Sequence, residues 1–266
     1  FEDLALGETA TTTLVYEISD GEGGTDTATI TVTITGTNDA PEGVPGSEIP
    51  NQTGTDATAI TPIDVTGAFT DPDSTDVLTY TASNLPAGLT LNPTTGVISG
   101  TLDNSASQGG DDPVNAPGVY SVVVTADDGN GGTVTDTFTY TVGNPAPTAT
   151  DNDYTVGRED APTVIGNALT DETGDGTDSD PDGDTLTVTP QTGIVGSNGG
   201  VFSIGANGDI TFDPNGDFGT LNPGESATTT LVYEISDGEG GTDTATITVT
   251  VTGLNELPTA LDNDYT

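Results

Sequence analysis

Between Asp26 and Thr35 apolar and polar residues alternate: Ala28, Ile30, Val32 and Ile34 take one set of positions, Thr27, Thr29, Thr31 and Thr33 the other. A period of two places the first set on one face of an extended strand and the threonines on the opposite face, the pattern of a half-buried β-strand. Leu14, Tyr16 and Ile18 predict the strand before it, and Leu231, Tyr233 and Ile235 predict the same strand again far along the chain. Between them the pattern returns in Leu78-Tyr80-Ala82, Tyr120-Val122-Val124 and Phe138-Tyr140-Val142. Asn207-Gly208, flanked by Phe202/Ile204 and Ile210/Phe212, predicts a hairpin. No stretch has helical spacing, and 37 Gly with 17 Pro suit many short strands joined by turns. Turn signals every ~8–12 residues predict an all-β chain of seven-stranded, immunoglobulin-like β-sandwiches.

Internal repetition gives the organisation. Residues 1–41 return at 218–258, identical at 32 of 41 positions across a spacing of 217 residues. TATDNDYT at 148–155 returns as TALDNDYT at 259–266, a spacing of 111. A chain that matches itself in this way is cut from a tandem array. The offsets predict four segments: 1–37, the last strands of one repeat; 38–143, a domain of a second kind; 144–254, a complete repeat of the first kind; and 255–266, the start of another. The joints are rich in Asn, Pro and acidic residues, as TNDAP at 37–41, GNPAP at 143–147 and LNELP at 254–258.

Composition then narrows the chemistry. The chain has 43 acidic residues and one basic residue, Arg158, for a formal charge of -42. Repulsion of that size opposes compaction. With no basic side chains to relieve it, bound cations must, and carboxylates with backbone carbonyls are hard oxygen ligands suited to Ca²⁺. The same charge excludes nucleic acid as a partner and disfavours anionic lipid. No apolar run approaches the ~18 residues of a membrane span, so no direct membrane insertion is expected. The absence of Cys removes disulfides and thiolate metal sites, leaving calcium as the expected staple of small secreted domains.

The carboxylates fall at recurring places in the strand plan. Asp71, Asp73 and Asp76 precede a central strand of the middle domain, and Asp178, Asp180, Asp182 and Asp184 precede the matching strand of the later one. Alternating Asp residues with a Gly at the bend let several carboxylates converge on one ion of six to eight oxygens; the alternative is a solvated acidic turn. A second acidic loop joins the last two strands of each domain: Asp20 and Glu22, Asp127, Asp128 and Asn130, then Asp237 and Glu239. In a sandwich of this topology both loops lie at the pole where the chain comes in. The linker residues Asn38, Asp39 and Asn144 are therefore expected to approach the ions, several Ca²⁺ sitting mainly at domain junctions. Ions held wholly within one domain are the alternative.

These residues resemble known families. ESATTTLVYEISDGEGGTDTATITVTVTGLNELP and the DSDPDGDTLTVT block are similar to VCBS repeats and related bacterial cadherin-like domains. AFTDPDSTDVLTYTASNLPAGLTLNPTTGVISGTL and VYSVVVTADDGNGGTVTDTFTYTV resemble the dystroglycan-type cadherin-like (Putative Ig) family. The resemblance implies tandem immunoglobulin/cadherin-like seven-stranded β-sandwiches that depend on calcium, carried on large RTX-type surface adhesins exported by type I secretion, with roles in adhesion or biofilm formation. It also aligns Asn38-Asp39, ahead of Pro41, with the Asn-Asp junction motif of cadherin linkers. Asn255-Glu256 before Pro258 departs from that motif, but glutamate can still ligate, so the resemblance implies Asn255 and Glu256 as ligands with altered geometry.

The expected function is a calcium-stiffened spacer on the bacterial cell surface, its main partners the neighbouring repeats of the same chain. Two rivals stay open: a carbohydrate-binding module in the middle domain, which would take surface glycans through the long loop at 103–117, and a subunit that assembles with like chains into a surface layer or filament. No enzyme is expected. Without His, Cys or Lys only a carboxylate pair could act, as in glycoside hydrolysis, and here the carboxylates sit in loops suited to a cation.

Overall fold

The structure, a computed structural model, describes residues 4–255. Contacts divide the chain into two compact units, 1–143 and 144–266.

The first unit opens with a two-stranded antiparallel hairpin, β1 (Thr9–Ser19) and β2 (Thr25–Thr35), in which Leu14 faces Ile30 and Tyr16 faces Ala28. A sandwich follows, built from β3 (Glu42–Gly43), β4 (Gln52–Thr55), β5 (Ile63–Asp64), β6 (Phe69–Thr70), β7 (Thr79–Ser83), β8 (Leu89–Leu91), β9 (Val97–Gly100), β10 (Val119–Asp127) and β11 (Thr133–Gly143). One sheet has the order β4-β11-β10-β7 and the other β5-β9-β8, with β3 paired to β6. The incoming chain thus crosses between sheets, pairing first with β6 and then, in parallel, with β11. A 3-10 turn at Thr66–Ala68 separates β5 from β6.

Alternation decides what is buried. Tyr120, Val122, Val124 and Ala126 of β10 and Phe138, Tyr140 and Val142 of β11 face inward against Val65, Phe69, Leu89, Ile98 and Leu102. Phe69 and Tyr80 meet with ring centroids 6.0 Å apart. The loop between β9 and β10 is tied down: Tyr120 Oη donates to the Ala106 carbonyl (2.6 Å), and the Ser121 N–H to Asp111 Oδ2 (2.9 Å).

The second unit is a sandwich of β12 (Asn152–Gly157), β13 (Thr163–Asn167), β14 (Thr187–Val188), β15 (Gln191–Val195), β16 (Val201–Ile204), β17 (Asp209–Asp213), β18 (Ser226–Ser236) and β19 (Thr242–Thr252). Its sheets are β12-β19-β18-β14 and β13-β17-β16-β15, with β12 parallel to β19. That is one strand more than the expected seven, because the segment after Leu186 serves both sheets: Val188 pairs with Ile235, and Gln191 pairs with Ile204 across the layer. Pro190 lies between them and, lacking an N–H, cannot extend the first ladder.

Leu231, Tyr233, Ile235, Ile247, Val249 and Val251 pack on Phe202, Ile204, Ile210 and Phe212, with the two Phe rings 4.7 Å apart. The Asn207-Gly208 signal does mark a hairpin. Its loop spans Gly205–Gly208, with the Gly208 N–H donating to the Gly205 carbonyl (2.9 Å) and only Gly208 at positive φ (+86°). It is a four-residue connection rather than a two-residue one.

Candidate metal centres

Three loops share one construction. In each, Asp-Gly-Xaa-Gly-Gly reverses the chain between two long strands, and the leading Asp N–H donates to the carbonyl of the last Gly: Asp20 to Gly24 (3.1 Å), Asp128 to Gly132 (3.3 Å) and Asp237 to Gly241 (3.3 Å). The turn needs a left-handed residue at its second and fourth positions, and Gly takes that conformation at no steric cost. Gly129 and Gly131 have φ of +80° and +110°, Gly238 and Gly240 of +84° and +107°. The leading carboxylate turns inward over the loop. Asp128 Oδ1 accepts from Asn130 N (2.7 Å) and Gly132 N (3.0 Å), and Asp237 Oδ1 from Glu239 N (2.7 Å) and Gly241 N (3.0 Å).

The incoming linker seats against this loop in both sandwiches. Asn38 Nδ2 donates to Asp128 Oδ2 (3.0 Å), and Asn144 Nδ2 to Asp237 Oδ2 (2.8 Å). The final Gly is required for the fit. A Cβ on Gly132 would run into the Asp128 carboxylate and stand 2.7 Å from Ala40 Cα; one on Gly241 would run into Asp237 and stand 2.9 Å from Pro147 Cδ.

The second group of carboxylates joins at the same pole, since Thr79 pairs with Asp127 and Thr187 with Ser236. In the first sandwich one oxygen from each of Asp71, Asp76 and Asp128 lies within 4.8 Å of the others. Asp73, fully buried, accepts the Asp39 N–H through Oδ2 (2.9 Å), and Asn130 Nδ2 donates to Asp76 Oδ2 (2.8 Å). In the second sandwich Asp180, Asp182 and Asp184 converge within the same limit. Asp180 Oδ1 caps the turn, accepting from the N–H groups of Asp182, Gly183 and Asp184 (3.0, 3.0 and 3.2 Å).

The protons these groups hold follow from crowding. Burial pushes Asp71 up, with the charges of Asp76, Asp73 and Asp128 adding to it. Burial, then Asp180 and Asp184 beside it, push Asp182 up to about 7. Burial acts on Asp180 as well, but hydrogen bonds from Asp182 and the turn backbone leave it below the ordinary carboxylate value. The Asn38 amide, with help from the loop N–H groups, holds Asp128 low.

Several oxygens here are shielded from water and unbonded: Asn38 Oδ1, Asp71 Oδ2 and Asp73 Oδ1 in the first sandwich; Asn144 Oδ1, Asp180 Oδ2 and both oxygens of Asp182 in the second. A buried acceptor without a donor costs roughly 1–3 kcal/mol, and more when charged. These donor sets hold only hard oxygens, so the residues fit a divalent cation of the calcium kind.

Other residues singled out from sequence have different surroundings. Asp178 is turned into the core, both oxygens accepting from Tyr233 Oη (3.1 and 3.0 Å) and Oδ1 also from the Thr150 N–H (2.7 Å). It serves as a buried brace; burial, ahead of its hydrogen bonds, pushes its carboxyl up and the Tyr233 hydroxyl is likewise raised. Asp127 accepts the Gly129 N–H (2.7 Å) within its own loop. Asp20 and Glu22 are exposed on the hairpin, Asp20 Oδ1 accepting from Glu22 N (2.8 Å) and Gly24 N (2.9 Å). Asp39 contributes its backbone, Asn255 is exposed, and Glu256 lies outside the described residues. Arg158 uses Nη1 on the Gly219 and Leu221 carbonyls (2.6 and 3.0 Å), with Glu159 3.3 Å from its Nε.

Sequence reasoning missed Asp136 and Asp243. Each accepts a backbone N–H from the segment entering its sandwich, Ile49 (2.7 Å) and Ala149 (2.9 Å) respectively. Each breaks a Thr-rich alternation with an acid, which is the signal that was available.

Fold and site together define tandem cadherin-like β-sandwiches with an acidic, oxygen-lined pole on each. Residues 144–253 match the family described as Bacterial cadherin-like domain, and residues 40–143 the family described as Putative Ig domain. The calcium-binding lectin RapA2 of Rhizobium johnstonii is 42% identical over 67 residues, covering 25% of this chain and 27% of RapA2. The chain thus spans about a quarter of the length of that relative. Among solved structures, Drosophila N-cadherin EC1-4 aligns with 95% of this chain and 59% of its own at 17% identity and a TM-score of 0.36. Mouse Cadherin-23 EC22-24 aligns with 91% and 74% at 18% identity and a TM-score of 0.37.

Proposed function

We propose that this chain is a calcium-stiffened spacer segment of a large secreted bacterial surface adhesin, carried on VCBS-like and RTX-type neighbours, exported by type I secretion and serving adhesion or biofilm formation. One observation carries the reading: in both sandwiches, buried oxygens with no donor of their own gather where the linker enters. Calcium would be held by Asn38, Asp71, Asp73, Asp76 and Asp128 in the first sandwich, and by Asn144, Asp180, Asp182, Asp184 and Asp237 in the second. The bound ion supplies positive charge to carboxylates that otherwise repel one another. The protein's own part is to hold linker and loops in one geometry, so that the incoming chain loses its freedom to swing. Length and direction are then the output, as in other linear arrays. The principal partners are neighbouring repeats, and no catalytic step is assigned.

Calcium titration of the chelator-treated chain, read by thermal melting and small-angle X-ray scattering, tests this. The reading requires a higher melting temperature and a stiffer particle with calcium. Stabilisation without stiffening would remove the spacer mechanism, and no response at all would remove calcium.

A further inference from the structure

Four Asn-Gly steps occur in the chain, at Asn130, Asn198, Asn207 and Asn215. Such a step is chemically labile, because no side chain on the glycine hinders its nitrogen from attacking the Asn side-chain carbon. Their surroundings differ. The Gly199 N–H is spent on the Gly196 carbonyl (3.2 Å) and the Gly208 N–H on the Gly205 carbonyl (2.9 Å). Both glycines are also crowded: a Cβ on Gly199 would stand 2.9 Å from Asp217 Cβ, and one on Gly208 2.7 Å from Asn167 Oδ1. Gly131 and Gly216 sit at open tips, with nothing within 4 Å of a would-be Cβ. Asn130 and Asn215 are exposed as well.

What sets Asn130 apart is a carboxylate beside each reacting nitrogen. The leaving nitrogen, Asn130 Nδ2, donates to Asp76 Oδ2 (2.8 Å). The attacking nitrogen faces Asp128, a carboxylate held low first by the Asn38 amide and then by the N–H groups of Asn130, Gly132 and Gly131. An anion beside the leaving nitrogen stabilises it as it takes up a proton, and one beside the attacking N–H receives the proton. At Asn215 the neighbouring carboxylate is turned to another use, Asp213 Oδ1 accepting the Asn215 backbone N–H (2.8 Å).

We propose that Asn130 is a self-modification site, converted in the folded chain to an acidic residue with release of ammonia. The Gly131 nitrogen attacks Asn130 Cγ and gives its proton to Asp128. The Cγ–Nδ2 bond breaks, and ammonia departs with that proton. Water then opens the succinimide, at Cγ to give aspartate or at the backbone carbonyl to give isoaspartate. No atom is oxidised or reduced, and water is the one co-reactant. The aspartate product places an acid where the other two loops carry Glu22 and Glu239, and sets it against Asp76. The step uses no bound ion and stands apart from the spacer reading.

The test incubates the folded, chelator-treated 266-residue chain at neutral pH and follows each Asn-Gly step by peptide mapping and ammonia release. Asn130 is expected to convert at least ~10-fold faster than Asn198 and Asn207, and ~3-fold faster than Asn215. Asp76→Asn should slow Asn130 at least ~5-fold and leave Asn215 unchanged. In guanidinium the four rates should draw together, since the carboxylates are then no longer placed. Three results would each overturn the proposal: Asn130 reacting no faster than Asn215 in the folded chain, the same ranking of sites in guanidinium, or an Asn130 rate indifferent to Asp76→Asn.

Discussion

The Asn38 side chain donates to Asp128 Oδ2 at 3.0 Å while its own carbonyl oxygen is buried without a donor. The amide nitrogen thus fixes the loop carboxylate, and its oxygen remains a candidate ligand for a cation. Asn144 and Asp237 repeat the arrangement at 2.8 Å. The two sandwiches thus share one device set by local chemistry: a D-G-x-G-G turn that presents a carboxylate, and a linker Asn that meets it.

If that device holds the ion, Asn144→Leu should weaken calcium binding in the second sandwich roughly tenfold or more, the worth of a hydrogen bond to a charged group. The first sandwich serves as internal control. Calorimetric titration reading two classes of site checks this, and equal affinities in wild type and variant would remove Asn144 from the ligand set.

Gly132 and Gly129 allow a sharper comparison within one loop. Gly129 has positive φ but open space around its would-be Cβ, whereas a Cβ on Gly132 meets Asp128 and the Ala40 backbone. Gly129→Ala should cost about 1 kcal/mol through conformation alone. Gly132→Ala should cost more and also lower calcium affinity, because the linker must move off the loop. Thermal melting with and without calcium separates the two. Equal losses would mean that linker seating does not depend on this glycine.

The pH response of the metal-free second sandwich should run opposite to that of most acidic side chains. Asp182 titrates at about 7 in the folded chain and near ~4 when unfolded. Between those values the folded form carries the extra proton. Stability is therefore greatest below ~4, falls as pH rises, and is fully lowered above about 7. Chelator-treated protein should melt higher at pH 5 than at pH 8. Calcium needs the carboxylate ionised, so its affinity should rise over the same interval. Asp182→Asn should flatten the metal-free dependence, and an unchanged slope in that variant would place the proton elsewhere.

How much of this was legible beforehand depends on which contacts are local. The strands and D-G-x-G-G turns were readable because β-alternation and Gly conformation are set within a few residues. The convergence of Asp71, Asp76 and Asp128 was readable because strand order brings those loops to one pole. Asp178 was not. It stands in the same DxDxD run as Asp180, and only the tertiary position of Tyr233 and Thr150 turns it inward. The split of one strand position into β14 and β15 also escaped the alternation pattern, which continues through both. Pro190 was its one visible marker.

Sequence identity and burial part company most clearly at Leu14 and Leu231, and the last prediction rests on them. Both occur in ATTTLVYEISDGEGG, yet Leu14 is 62% exposed and Leu231 only 6%. Tyr16 and Tyr233 differ likewise, at 43% and 1%. The reason is the opposite layer. β18 and β19 are faced by Phe202, Ile204, Ile210 and Phe212, while β1 and β2 form a two-stranded sheet of their own. Leu231→Ala should therefore cost about 2–5 kcal/mol by opening a cavity. In the isolated 266-residue chain, which lacks the rest of that repeat, Leu14→Ala should change stability by no more than about 0.5 kcal/mol, as exposed substitutions do. Denaturant unfolding of the two variants checks this directly. Equal destabilisation would mean that the β1–β2 face is covered in solution, and would call for a search for what covers it.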